Sequence, residues 1–172
     1  MVNQPTVIII GPPGAGKSST ARALAEIIHG EVIDTDQLVE EASGKKISDI
    51  FTEEGEPFFR KQEEIAVDRA LHLATSRPKI ISLGGGAILS PTTQERLTIS
   101  GGKLIFLNVS IAHAAPRIGF NRDRPLLLDN PRAKWVALMK ERQPIYESLA
   151  DFIVDTDGKS AREVAQEIAN TL

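Results

Sequence analysis

The chain has 172 residues, a formal net charge of -3 at pH 7 and no cysteine. This length fits one domain and is short for two, and the lack of cysteine excludes disulfides and thiolate metal sites. Because there is no basic block and no apolar run of membrane-spanning length, we expect no nucleic-acid partner and no membrane span. No basic leader precedes the first apolar run, so the expectation is a cytoplasmic protein without a signal peptide.

Five short apolar runs, mostly β-branched and continuous, predict strands that are covered on both faces of a parallel sheet. The runs are residues 6–10, 31–34, 79–83, 103–109 and 152–156. Segments of helical length lie between them, and Ser90 before Pro91 and Asn130 before Pro131 are typical of helix starts. The alternation predicts an α/β protein, a three-layer α/β/α domain over residues 1–172.

A glycine-rich stretch, GPPGAGKSS at residues 11–19, follows the first predicted strand and precedes a helical segment. Gly11, Gly16, Lys17 and Ser18 have the spacing G-x-x-x-x-G-K-[ST] of a phosphate-binding loop. Glycines let backbone N–H groups approach phosphate oxygens, the lysine adds charge, and the serine hydroxyl can bind magnesium. A plain glycine-rich turn with a solvated lysine is the alternative, and the strand and helix on either side argue against it.

The second predicted strand ends in DTD, residues 34–36. Its two carboxylates would lie at the carboxyl edge of the sheet, where α/β proteins bind ligands, and one of them can anchor magnesium. Aspartate is also common at helix N-caps, so that alternative stays open. Residues 35–60, with short helical pieces, and residues 117–129, with three arginines, are excursions typical of binding loops or lids.

Two arginines and three glycines are candidates for holding the acceptor of a phosphoryl transfer. Arg60 and Arg142 lie on predicted helices, and GGG at residues 84–86 follows the third strand. Arginines that converge with glycine N–H groups bind a carboxylate well. Taken singly, Arg60 can pair with Glu64 at i,i+4, Arg142 can be a solvated helix residue, and the glycines can form only a tight turn.

Other side chains have weaker signals. Phe51 and Phe59 flank the suspected pocket and can line it. Arg124 is either a lid residue that reaches the phosphates or one more surface charge. The aromatic side chains interpreted as packing residues are Phe106, Trp135 and Phe152. The three histidines have no metal-ligand spacing, so a histidine metal site is not expected.

Together, GPPGAGKSS, DTD, GEPFFRKQE, SLGGGA, RDRPLL and ERQPIY resemble the shikimate kinases, from residue 6 to about residue 160. The resemblance implies a nucleoside-monophosphate-kinase-like P-loop fold with five parallel strands in the order 2-3-1-4-5. It also implies an acceptor-binding region at residues 35–62 and a lid at residues 117–129. The implied reaction moves the γ-phosphate of ATP to the 3-hydroxyl of shikimate, giving shikimate 3-phosphate and ADP on the route to chorismate and aromatic amino acids.

The resemblance also implies a role for each matching residue. ATP phosphates would be held by Gly14, Ala15, Gly16, Lys17, Ser18 and Ser19. Mg²⁺ would be held by Ser18, with Asp34 nearby through water. Arg124 in the lid would stabilise the transferring charge, while Arg117 and Lys159 would lie around adenine.

For the acid, the resemblance implies a site made by Asp36, Arg60, Gly85 and Arg142. Around these four we place Phe51, Phe59, Gly84 and Gly86. Asp36 would orient the attacking hydroxyl and can take its proton, and the arginines would clamp the substrate carboxylate. A monomer is expected, since no long exposed apolar helix face demands a partner.

The sequence departs from the family pattern at two places. Ser19 stands where such kinases often have threonine, and Pro116 precedes Arg117, where we expect it to shorten or kink a helix. Two other functions stay open: a related kinase for gluconate or a nucleoside monophosphate, and a binding module that has lost catalysis. The second would be expected to lack one of Lys17, Asp34, Asp36 or Arg124, and all four are present.

Overall fold

The computed structural model of the protein describes residues 4–118 and 130–172. Its centre is a sheet of five parallel strands. The strands are β1 (Thr6–Ile10), β2 (Glu31–Asp34), β3 (Lys79–Ser82), β4 (Lys103–Asn108) and β5 (Phe152–Asp155). They lie in the order β2-β3-β1-β4-β5, which confirms the predicted order. In the register of β1, Ile8 lies opposite Ile81 of β3 and Leu104 of β4.

The middle positions of the central strands are apolar on both faces because helices cover both faces of the sheet. Val7, Ile8 and Ile9 of β1 are fully buried, and so are Ile80 and Ile81 of β3. The edge strands differ.

On the edge strand β5, the side chain of Phe152 is 41% exposed, so its interpretation as a packing residue is wrong. An edge strand has a neighbour on one side only, and the Phe152 ring instead contacts the ammonium group of Lys103 at 4.8 Å.

Helices of the described residues connect the strands in the predicted alternation. They are α1 (Lys17–Ile28), α2 (Thr35–Ser43), α3 (Ile47–Glu54), α4 (Glu56–His72), α5 (Pro91–Ile99), α6 (Ile111–Ile118), α7 (Pro131–Leu149) and α8 (Ala161–Ala169), with a 3-10 turn at Ala87–Leu89. The predicted caps are confirmed, since the side chains of Ser90 and Asn130 accept the N–H groups of Thr93 and Ala133. Helix α6 contains Pro116 and continues for two residues beyond it.

The first part of the 35–62 region folds into α2 and α3, which pack on α4. A small second core, separate from the core along the sheet, consists of Val39, Ile50, Phe59 and Ala66. This core fixes the start of α4 beside the carboxyl edge of the sheet. In the part of the chain that the structure describes, no helix combines the length and apolarity that a membrane span requires.

Candidate active site

The phosphate loop (residues 11–19) joins β1 to α1 with a backbone that favours glycine. Gly14 and Gly16 have φ angles of 84° and 83°, which L side chains rarely adopt. A Cβ atom on Gly11 would lie 2.8 Å from the carbonyl oxygen of Leu107 on the neighbouring strand. Because Gly16 is the N-cap of α1, the N-terminus of this helix faces the loop and favours bound anions.

Lys17 and Ser18, at the start of α1, turn toward the loop and toward β2. The ammonium group of Lys17 donates to the carbonyl of Pro12 at 3.1 Å. The hydroxyl of Ser18 donates to Oδ2 of Asp34 at 2.8 Å. The sequence motif and the end of the second strand therefore meet, as predicted.

The carboxylate of Asp34 does two things at once. Its Oδ1 accepts the backbone N–H groups of Asp36 at 3.0 Å and Gln37 at 3.3 Å, which makes it the N-cap of α2. Its Oδ2 accepts from Ser18. The helix-cap alternative is thus correct, and the cap holds the second oxygen toward the phosphate loop. The predicted role of Asp34 at magnesium stays a prediction.

Thr35 ties the end of β2 to the triple-glycine turn (residues 84–86). Its side chain is fully buried, and its hydroxyl accepts the N–H of Gly84 at 3.0 Å and donates to the carbonyl of Ser82 at 3.4 Å. A Cβ atom on Gly84 would lie 2.6 Å from Oδ1 of Asp36 and 2.7 Å from Oε2 of Glu63. Two carboxylates therefore close over a position that only glycine can occupy.

The other two glycines make room for the two arginines. A Cβ atom on Gly85 would lie 3.5 Å from Nη1 of Arg142, and one on Gly86 would lie 2.6 Å from Cζ of Arg60. The carbonyl of Gly85 accepts the hydroxyl of Tyr146 at 2.5 Å. These glycines form a turn, and the turn brings together the arginines of α4 and α7.

Arg60 pairs with glutamates on its own helix. Its Nη1 lies 2.8 Å from Glu63 and its Nη2 lies 3.2 Å from Glu56. The pairing with Glu64 that was the alternative is wrong, because the Glu64 carboxylate accepts the hydroxyl of Ser90 at 2.6 Å. Burial lowers the pKa of Arg60, but the charges of Glu63 and Glu56 outweigh burial and raise it above the usual value.

The two predicted pocket aromatics lie behind this arginine. The ring centroids of Phe51 and Phe59 are 4.7 Å apart, and Cζ of Arg60 lies 5.3 Å from the centroid of the Phe59 ring. Phe59 belongs to the second core, and Phe51 packs against that core. Their packing supports the guanidinium group from one side.

Arg142 is only 3% exposed, so the alternative of a solvated helix residue is wrong. Its Nε is buried and has no hydrogen-bond partner among the described residues. A buried unpaired donor costs free energy, so the site is suited to a ligand that brings an acceptor. The positive charge of Arg142 and its proximity to the triple-glycine turn favour an anionic ligand.

Glu63 is a site residue that the sequence analysis missed. It is 3% exposed, and burial raises the pKa of its carboxyl group to about 7, although Arg60 lowers it. Asp36 raises this pKa further and Arg142 lowers it. The available signal was its position three residues after Arg60 on a helix.

A cleft of about 260 Å³ lies on the α8 side of the phosphate loop. Arg117 and Lys159 both line it, together with Gly16 and Ser19. A neighbouring cleft of about 200 Å³ is lined by Lys17, Ser18, Asp34 and Asp36, among others. Arg124 lies outside the described residues, as do residues 119–129 of the predicted lid.

Comparisons with known proteins decide the family. The family model described as "Shikimate kinase" matches residues 13–172. A shikimate kinase of Thermobifida fusca (strain YX) is 45% identical over 172 residues, which is all of this chain and 97% of that relative. The chain belongs to the shikimate kinase family.

A second relative and a solved structure of the shikimate kinase family are also similar to the chain over nearly its full length. The shikimate kinase of Rhodococcus jostii (strain RHA1) is 43% identical over 169 residues, covering 98% of each chain. A solved structure described as shikimate kinase from Acinetobacter baumannii in complex with shikimate has a TM-score of 0.92 and 32% identity, covering 98% of this chain and 93% of that one. The resemblance seen in the sequence is confirmed, and the chain is an ATP-dependent kinase of the shikimate kinase family.

Two further side chains of this shikimate kinase family member donate hydrogen bonds to backbone carbonyls of the site. The sequence analysis gave neither of them a role there. Tyr146 is fully buried, stacks on Phe106 with ring centroids 5.0 Å apart, and donates to Gly85. Trp135 is buried, as predicted for a packing residue, and its Nε1 also donates to the carbonyl of Pro13 at 2.8 Å. Their partners are distant in the sequence, so no local pattern could show these contacts.

Proposed function

We propose that this member of the shikimate kinase family transfers the γ-phosphate of ATP to the 3-hydroxyl of shikimate, with Mg²⁺ as cofactor. The products are shikimate 3-phosphate and ADP. The observation that carries the proposal is the convergence of Asp36, Arg60 and Arg142 on one glycine turn beside a phosphate loop. This arrangement fits a small acid with a hydroxyl group that faces the γ-phosphate.

The nucleotide part of the proposal rests on the phosphate loop. Backbone N–H groups of residues 14–19 and the N-terminus of α1 hold the phosphates, and Lys17 supplies a full positive charge to them. Arg117 and Lys159 flank adenine. This assignment is supported by the cleft that both side chains line next to the loop.

Ser18 and Asp34 fit a magnesium ion that is carried by the nucleotide. Both present oxygen atoms, and their hydrogen bond of 2.8 Å places these oxygens together beside Lys17. Mg²⁺ in such sites binds one or two protein groups and keeps several waters, so this small donor set is sufficient. When bound, the ion offsets negative charge on the β and γ phosphates.

Arg60 and Arg142 bind the carboxylate of the acid. Two guanidinium groups offer paired donors in the geometry that a carboxylate accepts, and the buried Nε of Arg142 gains the partner that it lacks among the described residues. Phe51 and Phe59 support Arg60, and residues 84–86 leave space for the ring. Residues 35–62 thus form the acid-binding region of a single domain.

Asp36 orients the attacking hydroxyl and receives its proton. As the new O–P bond forms, the bond between the γ-phosphorus and the bridging oxygen breaks, and ADP leaves. Arg124, in the proposed lid at residues 117–129, offsets charge on the transferred group. We also propose that the protein is a monomer and acts in the cytoplasm. The lack of cysteine is compatible with that reducing compartment.

An ADP-release assay with ATP, Mg²⁺ and a panel of shikimate, quinate, gluconate and AMP tests the proposal. We expect turnover with shikimate to exceed turnover with gluconate or AMP by about 100-fold or more, since only a carboxylate-bearing ring fits both arginines and Asp36. Phosphorus NMR of the product checks the 3-position. Preferred turnover of gluconate or AMP, or nucleotide binding without ADP release, would overturn the proposal.

A further inference from the structure

Three successive carbonyl groups of the phosphate loop accept hydrogen bonds from side chains. The carbonyl of Pro12 accepts from Lys17, and that of Gly14 accepts from Nη1 of Arg117 at 2.9 Å. Between them, the carbonyl of Pro13 accepts from Nε1 of Trp135 at 2.8 Å. Because proline has no N–H, the carbonyl is the only backbone polar group at residue 13.

Trp135 reaches the loop from α7, 122 residues further along the chain. Its side chain is only 4% exposed, so the indole N–H has little access to water and needs a protein partner. The carbonyl of Pro13 is that partner. Loss of the N–H would leave this acceptor without its side-chain donor.

A second contact from α7 bears on the same proline. Tyr146 holds the carbonyl of Gly85, and a Cβ atom on Gly85 would lie 3.4 Å from Cδ of Pro13. The triple-glycine turn therefore packs directly against Pro13. Residue 13 is fixed on one side by the indole N–H and on another by a turn that α7 also holds.

We propose that Trp135 is a positioning residue for the phosphate loop, whose indole N–H keeps the Pro13 carbonyl bonded to α7 and turned away from bound phosphates. A carbonyl oxygen that faced the phosphates would repel them, whereas the N–H groups of the loop attract them. The inference rests on the proposed function, since it takes this loop to bind ATP.

The variant Trp135→Phe removes the N–H and keeps an aromatic ring. We expect its KM for ATP to rise about three- to tenfold, the range for loss of one hydrogen bond, while its KM for shikimate stays within about twofold. Met139→Leu is the matched control, because Met139 is also buried on α7. An unchanged KM for ATP, an equal rise in both KM values, or the same rise in Met139→Leu would overturn the proposal.

Fluorescence of the unaltered protein gives a second test that does not depend on how the variant folds. Trp135 is the only tryptophan in the chain. ADP with Mg²⁺ should change its emission saturably, at the concentrations where calorimetry detects binding, and shikimate alone should change it less than half as much. Calorimetric binding of ADP without a change in emission would overturn the inference, whereas failure of the proposed function would show as no ADP release with shikimate.

Discussion

Replacing Glu63 by glutamine tests the electrostatics of the acid pocket. In the folded protein, burial raises the pKa of this carboxyl group from 4.5 to about 7, against the opposing charge of Arg60. The folded state therefore binds the proton more tightly than the unfolded state. Glutamine has nearly the same shape and cannot ionise, so a comparison of the two proteins isolates this proton.

The sign and size of the effect follow from the two pKa values. The contribution of Glu63 to stability is fully present below about pH 4.5 and is lost as the pH rises through about 7. This difference of about 2.5 pH units corresponds to about 3 kcal/mol, at about 1.4 kcal/mol per unit. Because part of this contribution is already lost at pH 5, the wild type should lose about 2 to 3 kcal/mol of unfolding free energy relative to Glu63→Gln between pH 5 and pH 8.

Urea unfolding at pH 5, 6, 7 and 8 measures this difference directly, with the exposed Glu95→Gln as a control. If the unfolding free energies of the wild type and Glu63→Gln changed by the same amount from pH 5 to pH 8, the reasoning would be refuted. If the unfolding free energy of the wild type instead increased relative to that of the variant as the pH rises, the ion pair with Arg60 would outweigh burial. The KM for shikimate should also rise several-fold between pH 6 and pH 8 in the wild type, because an ionised Glu63 repels the substrate carboxylate, and should stay flat in the variant.

Three other substitutions test the site. Asp36→Asn should lower kcat by about 100-fold or more, while calorimetry gives a Kd for ADP within about threefold of the wild type; near-normal turnover would exclude Asp36 as the residue that activates the hydroxyl. Arg142→Ala should raise the KM for shikimate by about tenfold or more, and Arg142→Lys should recover only part of this loss because lysine has no guanidinium fork; an unchanged KM would contradict the carboxylate clamp. Thr35→Val should lower the unfolding free energy by about 1 to 3 kcal/mol in urea, since it leaves the buried N–H of Gly84 unpaired, and Thr35→Ser should lower it less. Equal losses of unfolding free energy in Thr35→Val and Thr35→Ser would show that the hydroxyl of Thr35 does not stabilise the fold through Gly84.

The fold was predictable because its central strands are buried on both faces and its edge strands are also short apolar runs. Such strands are continuous apolar runs rather than alternating ones, so the five runs stood out and their bounds differ by at most one residue from the observed ones. The phosphate loop was predictable for a similar reason, because its chemistry depends on residues that are neighbours in sequence. The strand order came from the family resemblance, since periodicity carries no information about which strands lie side by side.

The local partners in the site could not be predicted in the same way. Three glutamates lie within four residues of Arg60, and burial beside Gly84 decides that Glu63 is the one in the pocket. Aspartate at a strand end was ambiguous between a cap and a metal site: one oxygen of Asp34 caps α2 and the other accepts the hydroxyl of Ser18. The role of Asp34 at magnesium stays a prediction. Phe152 was misassigned because a strand at the sheet edge has the same composition as one at the centre.

Helix α7 connects the two halves of the proposed site. Trp135, Arg142 and Tyr146 are seven and four residues apart, and because eleven residues make about three helical turns, they share one face of α7. That face contacts the phosphate loop at Pro13 and the triple-glycine turn at Gly85. The contact with the nucleotide loop and the arginine that we propose for the acid carboxylate therefore lie on the same helix. In the proposed reaction, one helix therefore supports both the nucleotide loop and the acid-binding region, through the indole N–H at Pro13 and the phenol hydroxyl at Gly85.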